Sequence, residues 1–394
     1  MRDFWEEEKT EKKKINKRKI VIIVLIVLIL IVLVAISIVY FKNDQVREWI
    51  DKNVFRKEVL QNEATTIDLN EGENSNIYAF NKYIGILNKN KFLIYGSSGN
   101  QEQSLDIQIS NPVFCSADRF LVIGEKKGQK LYLITDKDIS WEANVEGNIS
   151  QVYVNKNGYV AVAIVDTLAK TVISVYDTSG KELFKTYLSS TRAADISISN
   201  DNKHLAIAEI DTSGTVIQSY VKIISIDKAS SDPTNSLENT YKCQSDKLIT
   251  NLQYQDKNKL VCMYTDSISL IEDGQETTLI DNNGKNVIFQ SVDLNNNITS
   301  LEEQSSGLFT ANTVITILDV TNKSQKQYTV NSVAKSLYTY GNIIAANLGT
   351  EVEFINTDGW LVKRYVANQE ITNIVMTNNI AGIVYRDKIE LINL

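Results

Sequence analysis

The sequence predicts an all-β chain, a β-propeller of about eight four-stranded blades, preceded by one transmembrane helix. Three observations predict it. Residues 20–41, IVIIVLIVLILIVLVAISIVYF, carry no charge over 22 positions. From Thr65 onward no segment sustains a helical period; runs of Val, Ile, Leu, Tyr and Phe alternate with Asn, Asp, Gly, Lys and Ser clusters, the pattern of strands and turns. A unit of about 40 residues then recurs to the end of the chain, and its last copy is one strand short.

The N-terminal elements come first. At 1.5 Å per residue the apolar run reaches about 33 Å, enough for a hydrocarbon core of roughly 30 Å. Tyr40 and Phe41 close it where aromatic rings favour the interface. Lys12, Lys13, Lys14, Lys17, Arg18 and Lys19 crowd its N-terminal side, so residues 1–19 are expected to be a cytoplasmic basic tail and the bulk of the chain to lie outside the cell membrane. Ala35-Ile36-Ser37 loosely resembles a signal-peptide cleavage site, but the run exceeds the usual h-region and continues past it. It reads as a single-pass signal-anchor. Residues 1–19 carry eight basic and five acidic side chains, +3, against −7 for the whole chain, which leaves −10 beyond them. A domain that acidic, without a basic stripe, excludes nucleic acid as a natural partner.

Residues 42–63 form the link. Within them VREWIDKNVFRKEVL (46–60) puts Val46, Trp49, Ile50 and Val54 on one helical face, suited equally to a membrane surface and to a connector docked on the outer domain. Residues 64–394 are the predicted propeller. The chain is 43% hydrophobic, enough for a sizeable core, and two prolines leave no Pro-rich stalk. Cys115, Cys243 and Cys262 are odd in number, lack a CxxC spacing and each sit in a strand-like run, so three buried free thiols are expected.

Two hairpin types build each unit. One is seen in ISQVYVNKNGYVAVAIV (149–165), ADISISNDNKHLAIAEI (194–210) and ITNIVMTNNIAGIVY (371–385), where a polar turn leads into a strand of small apolar residues. The other is seen in YDTSGKELFKTYL (176–188) and INTDGWLVKRYV (355–366), each with a Gly placed to take φ > 0. Units begin near Ser75, Asn111, Ile149, Ala194, Leu248, Val287, Val333 and Ile371. The last stops after three strands, and TTIDL (65–69) is the available fourth, closing the ring without exposed edges. That gives eight blades of a WD40/TolB-like kind. Seven is the alternative if 287–331 is not a unit.

The apolar span, the REWIDK…RKEV connector, SNIYAFNKYIGILNKN, ISNDNKHLAIAEI and the terminal AGIVYRDKIELINL together resemble a clostridial membrane-anchored family catalogued as domain of unknown function 5711. The resemblance covers nearly the whole chain. It implies a propeller-like ectodomain held on a Gram-positive membrane, and supplies no activity and no site residues.

Chemistry is sparse. His204 is the one histidine and sits in a polar turn, which rules out a multi-His metal site and suits surface packing. Ser332-Val333-Ala334-Lys335 matches S-x-x-K without the helix or partner motifs that this nucleophile needs. Asp293-Leu294-Asn295-Asn296-Asn297 imitates a calcium loop, but Ile298 replaces the Gly and Gln304 the chelating Glu, so it reads as an ordinary turn. No phosphate or dinucleotide motif occurs, and no cofactor is expected. The chain reads as non-enzymatic, a scaffold or binder of another envelope protein or glycan. The alternatives are a propeller enzyme acting on a wall polymer through channel carboxylates, and a ligand sensor. Two long second-to-third-strand loops, 211–220 and 303–313, each carry an apolar pair after Ser-Gly: Val216-Ile217 and Leu308-Phe309. These four residues are the candidate partner contacts, unless they tuck onto a neighbouring blade. A third long segment, 228–238, is polar and reads as a passive insertion on the opposite face.

Overall fold

The computed structural model describes residues 17–42, 46, 50 and 64–394, apart from 70–75, 89, 166–168, 244–246 and 308–309. Most of the basic tail, most of the connector helix and the Leu308-Phe309 pair therefore lie outside the described residues. The chain divides into two units, residues 1–58 and 59–394.

In the first unit, α1 (Lys17–Lys42) is a helix of 26 residues with no acid in its first turn. Its described side chains from Leu25 to Val39 are all exposed. Among the described residues no helix is long and apolar enough to cross a membrane.

The second unit is a ring of eight four-stranded antiparallel sheets. Blades 1 to 7 take residues 76–106, 112–144, 148–188, 192–242, 249–281, 287–330 and 336–366. Blade 8 takes its first three strands from residues 373–393 and its fourth from Thr65–Asp68, with Thr65 opposite Leu391 and Asp68 opposite Lys388. The composite blade and the eightfold count both hold, and 287–330 is a full blade. Its first strand is irregular, with register shifts between Val287 and Phe289 and between Ser291 and Leu294, which is why its repeat is faint in the sequence.

Burial changes with distance from the axis. The second strands are packed on both faces, as in Val160–Ile164, Leu205–Ala208 and Ile343–Asn347, and small residues fit there because neighbouring blades press from either side. The fourth strands, such as LENTYK in blade 4 and QKQYTV in blade 6, are mostly exposed and polar. The core lies between blades. Ala161, Ala163, Ile173 and Val175 of blade 3 meet Ile196, Ile198, Leu205 and Ile207 of blade 4. Ile67 joins Ile84 and Ile86 of blade 1 to Ile380, Ile389 and Leu391 of blade 8, so the first and last strands of the propeller seal the ring together.

The two Gly hairpins are the outer hairpins of blades 3 and 7. Gly180 has φ 82° and Gly359 φ 78°. In each, the residue three before Gly accepts through its side chain: Asp177 Oδ1 from the amides of Ser179 and Lys181, Asn356 Oδ1 from those of Asp358 and Trp360. Their likeness is a shared turn geometry.

Antiparallel pairing gives the ring two faces. First-to-second and third-to-fourth turns lie on one, the cavity face. Second-to-third loops and the links between blades lie on the other, the connector face. Residues 228–238 lie on the cavity face, and they are built rather than passive. A short helix, α2 (Ile226–Ser231), buries Ile226 and Ala229 against blades 3 and 4. Glu238 follows it and meets His204 Nε2 at 3.1 Å, which accounts for the lone histidine.

Candidate functional site

The first strands of all blades run toward the cavity face, so their last residues and the turns that follow converge there. The result is an axial cavity of about 600 Å³ lined from seven blades, with Cys115 and Asp118 of blade 2, Tyr153 and Asn155 of blade 3 and Asn200 of blade 4 on one side. Gln255 of blade 5, Asp293 and Asn296 of blade 6, Tyr340 of blade 7 and Asn378 of blade 8 face them.

Why these residues end up here is local. Each first strand must turn back within a few residues, and amide and carboxylate side chains tolerate the left-handed position such turns need. Asn81, Asp118, Asn202 and Asn296 adopt it, with φ between 50° and 62°. Other groups of the same turns join neighbouring blades. Asn155 Nδ2 donates to Ser199 O at 3.1 Å, Asn200 Nδ2 to Gln255 O at 3.1 Å and Gln255 Nε2 to Val292 O at 2.5 Å. The Asn295 amide donates to Gly341 O at 2.8 Å and the Asn342 amide to Asn378 Oδ1 at 3.2 Å. Blades 3 to 8 are thus tied in sequence around the mouth. Tyr340 completes the rim by reaching past blades 8 and 1, its hydroxyl 3.5 Å from Asp118 O.

Deeper in, the side chains of the first strands bond laterally. Asp195 accepts from Gln151 Nε2 at 2.5 Å and from the Leu252 amide at 2.7 Å, linking blades 3, 4 and 5. Ser197 Oγ donates to Tyr153 OH at 3.1 Å and accepts from the Tyr254 amide at 3.0 Å. Burial pushes the Asp195 carboxyl up to about 6 despite these bonds. Asp293 differs: its side chain is exposed to the cavity, desolvation raises its pKa, and the one bond that opposes the rise, from Ser291 Oγ, is long at 3.4 Å. Cys115, expected to be buried like Cys243 and Cys262, is instead half-buried at the cavity wall. Desolvation pushes its thiol up to about 12, so it stands there as a neutral thiol rather than a thiolate.

The residues singled out in the sequence fall elsewhere. Val216 and Ile217 lie on the connector face of blade 4, 59% and 45% exposed, and do not tuck onto a neighbouring blade. The flanking strands run to Asp211 and from Gln218, so the loop is shorter than the sequence suggests. They are not isolated. Of the eight exposed large apolar side chains among the described propeller residues, five are on the connector face: Val165, Val216, Ile217, Val333 and Val366. None lies in a first-to-second turn. The two faces are therefore chemically distinct, one polar and hollow, the other studded with valine and isoleucine.

The cavity leaves little trace in the sequence. The stretch 293–297 is an ordinary turn at Asn295 and Asn296, as expected, but the carboxylate before them lines the cavity. The available signal was positional: a side-chain amide or acid recurs at the first turn of every unit.

Among solved structures, the chain is similar to Sqt1 from Chaetomium thermophilum, at 10% identity and a TM-score of 0.53, covering 84% of this chain and 99% of that one. It is also similar to BamB from Moraxella catarrhalis, at 11% identity and a TM-score of 0.47, covering 84% and 100%. At such identities the likeness concerns the fold alone. No curated protein matches the chain. Residues 54–394 match the model of the Family of unknown function (DUF5711), and the chain belongs to that family.

Proposed function

We propose that the protein is a membrane-anchored, extracytoplasmic propeller that holds another protein of the cell envelope against its connector face, and that it is not an enzyme. The observation that carries this reading is the clustering of exposed apolar side chains on that face. Val165, Val216 and Ile217 stand on adjacent blades 3 and 4, and Val333 and Val366 stand across the ring near blade 7. Contacts that far apart suit a partner broad enough to lie over the ring, and apolar side chains held at loop tips gain from being covered. The anchor rests on the sequence alone: an uncharged run of 22 residues behind a +3 tail. A Gram-positive envelope is the setting that the resemblance implies.

The test is capture from native membranes. The full-length chain is crosslinked beside a Val216→Ser/Ile217→Ser variant. A defined partner recovered with the parent and lost with the variant supports the reading. Equal recovery with both removes the connector face as the contact surface.

A further inference from the structure

We propose that the axial cavity is a second binding site, for a small hydroxylated amine of the amino-sugar class, whose ammonium group is received by Asp293. It lies on the face opposite the proposed protein contact and does not depend on it.

The case starts from two carboxylates at the axis with opposite fates. Asp195 is consumed by the fold, since each of its oxygens accepts a short bond from a neighbouring blade. Asp293 is not. Its one protein hydrogen bond is the 3.4 Å contact with Ser291 Oγ, and that hydroxyl makes its shorter bond, 2.6 Å, to Thr339 Oγ1. No lysine or arginine among the described residues forms an ion pair with it. A carboxylate open to a cavity, with one long hydrogen bond and no cation, keeps its acceptor sites for a ligand ammonium, which binds it through charge-assisted hydrogen bonds.

The rest of the wall selects within that class. Asp118 and Asp293 are the acids that line the cavity and Lys156 is the one cation, so the site carries a net negative charge that favours a cation over an anion. Asn295 and Asn296 bond through their backbones, leaving their side-chain amides to donate to and accept from hydroxyls. The volume of about 600 Å³ is in the range of small-molecule sites and exceeds what a bare ammonium ion would fill. Charge, hydroxyl-matching amides and size together describe an amine that carries several hydroxyl groups.

The experiment compares two probes that share a ring and differ in charge, D-glucosamine and N-acetyl-D-glucosamine, titrated calorimetrically into the detergent-solubilised full chain. The expected result is binding of glucosamine about tenfold or more tighter than of its acetylated form, the scale of one charged hydrogen bond. Asp293→Asn, nearly isosteric, should abolish the difference. If that variant does not fold, the unmodified chain still decides: the preference must fade as pH falls and Asp293 takes up its proton. Equal binding of both sugars, binding of neither, or a preference insensitive to pH and to Asp293→Asn overturns the proposal. Each of these outcomes leaves the protein partner on the connector face untouched.

Discussion

The Asp195 carboxylate accepts the Leu252 amide at 2.7 Å across the joint between blades 4 and 5, while Gln151 reaches the same carboxylate from blade 3. One side chain thus ties three blades at the axis.

That tie is sensitive to pH, and the sign can be worked out. Burial holds the folded carboxyl at about 6 against an ordinary 3.8. Protonation therefore favours the folded state; the contribution is present below the unfolded pKa and is lost as pH rises through about 4 to 6. The full shift corresponds to about 3 kcal/mol. Asp293, also raised, adds in the same direction. Denaturant melts across this window should show stability falling with rising pH, and Asp195→Asn should flatten the fall, its amide still accepting from Leu252. An unchanged slope in the variant would remove Asp195 as the cause. Asp195→Ala, which strands the Leu252 amide, should instead destabilise by about 1–3 kcal/mol.

Ring closure rests on few residues. Ile67, on the strand borrowed from the N-terminal side, is 4% exposed and packs between blades 8 and 1. Ile67→Ala is expected to cost about 2–5 kcal/mol in chemical unfolding. Loss below about 0.5 kcal/mol would mean that the fourth strand of blade 8 contributes little to closure.

The paired Gly turns separate two kinds of strain. Both positions need φ near +80°, so Ala at either costs about 1–2 kcal/mol. At Gly359 an added Cβ meets nothing nearer than 3.5 Å, whereas at Gly180 it would stand 2.7 Å from Trp141 Cγ. Gly180→Ala should therefore lower Tm more than Gly359→Ala in a side-by-side thermal scan. Equal shifts would show that Trp141 gives way freely.

Glu209, 1% exposed, is held by Lys222 Nζ at 2.9 Å and by Thr191 Oγ1 at 2.8 Å. Lys222→Met strands a buried carboxylate and should destabilise by about 3–5 kcal/mol, while the double variant Glu209→Leu/Lys222→Met should recover most of that loss. A double variant no more stable than the single would mean that packing, not charge, was lost.

Much of the fold could be read from the sequence because it is local. Each hairpin carries its own turn chemistry: Asp177 and Asn356 bond the amides beyond them whatever the rest of the chain does. The borrowed strand at 65–68 is legible because the last unit lacks one. The site was less legible for the opposite reason. Asp293 and Cys115 are 178 positions apart in the chain and share a cavity only because eight blades close a circle. The shift between Ser291 and Leu294 also disrupts the alternation that would have marked Asp293 as facing the axis. Val216 and Ile217 stand out by residue type, but whether they tuck or protrude depends on neighbouring loops that no local pattern specifies.

The most direct measurement places a photocrosslinking amino acid at one position at a time in the full-length chain, in native membranes: at Val216 on the connector face, and at Asn322 in a turn of the cavity face. The expected result is a discrete crosslinked partner from position 216 and none from position 322. The same protein captured from both positions, or from position 322 alone, would contradict the assignment of the connector face as the surface that holds the partner.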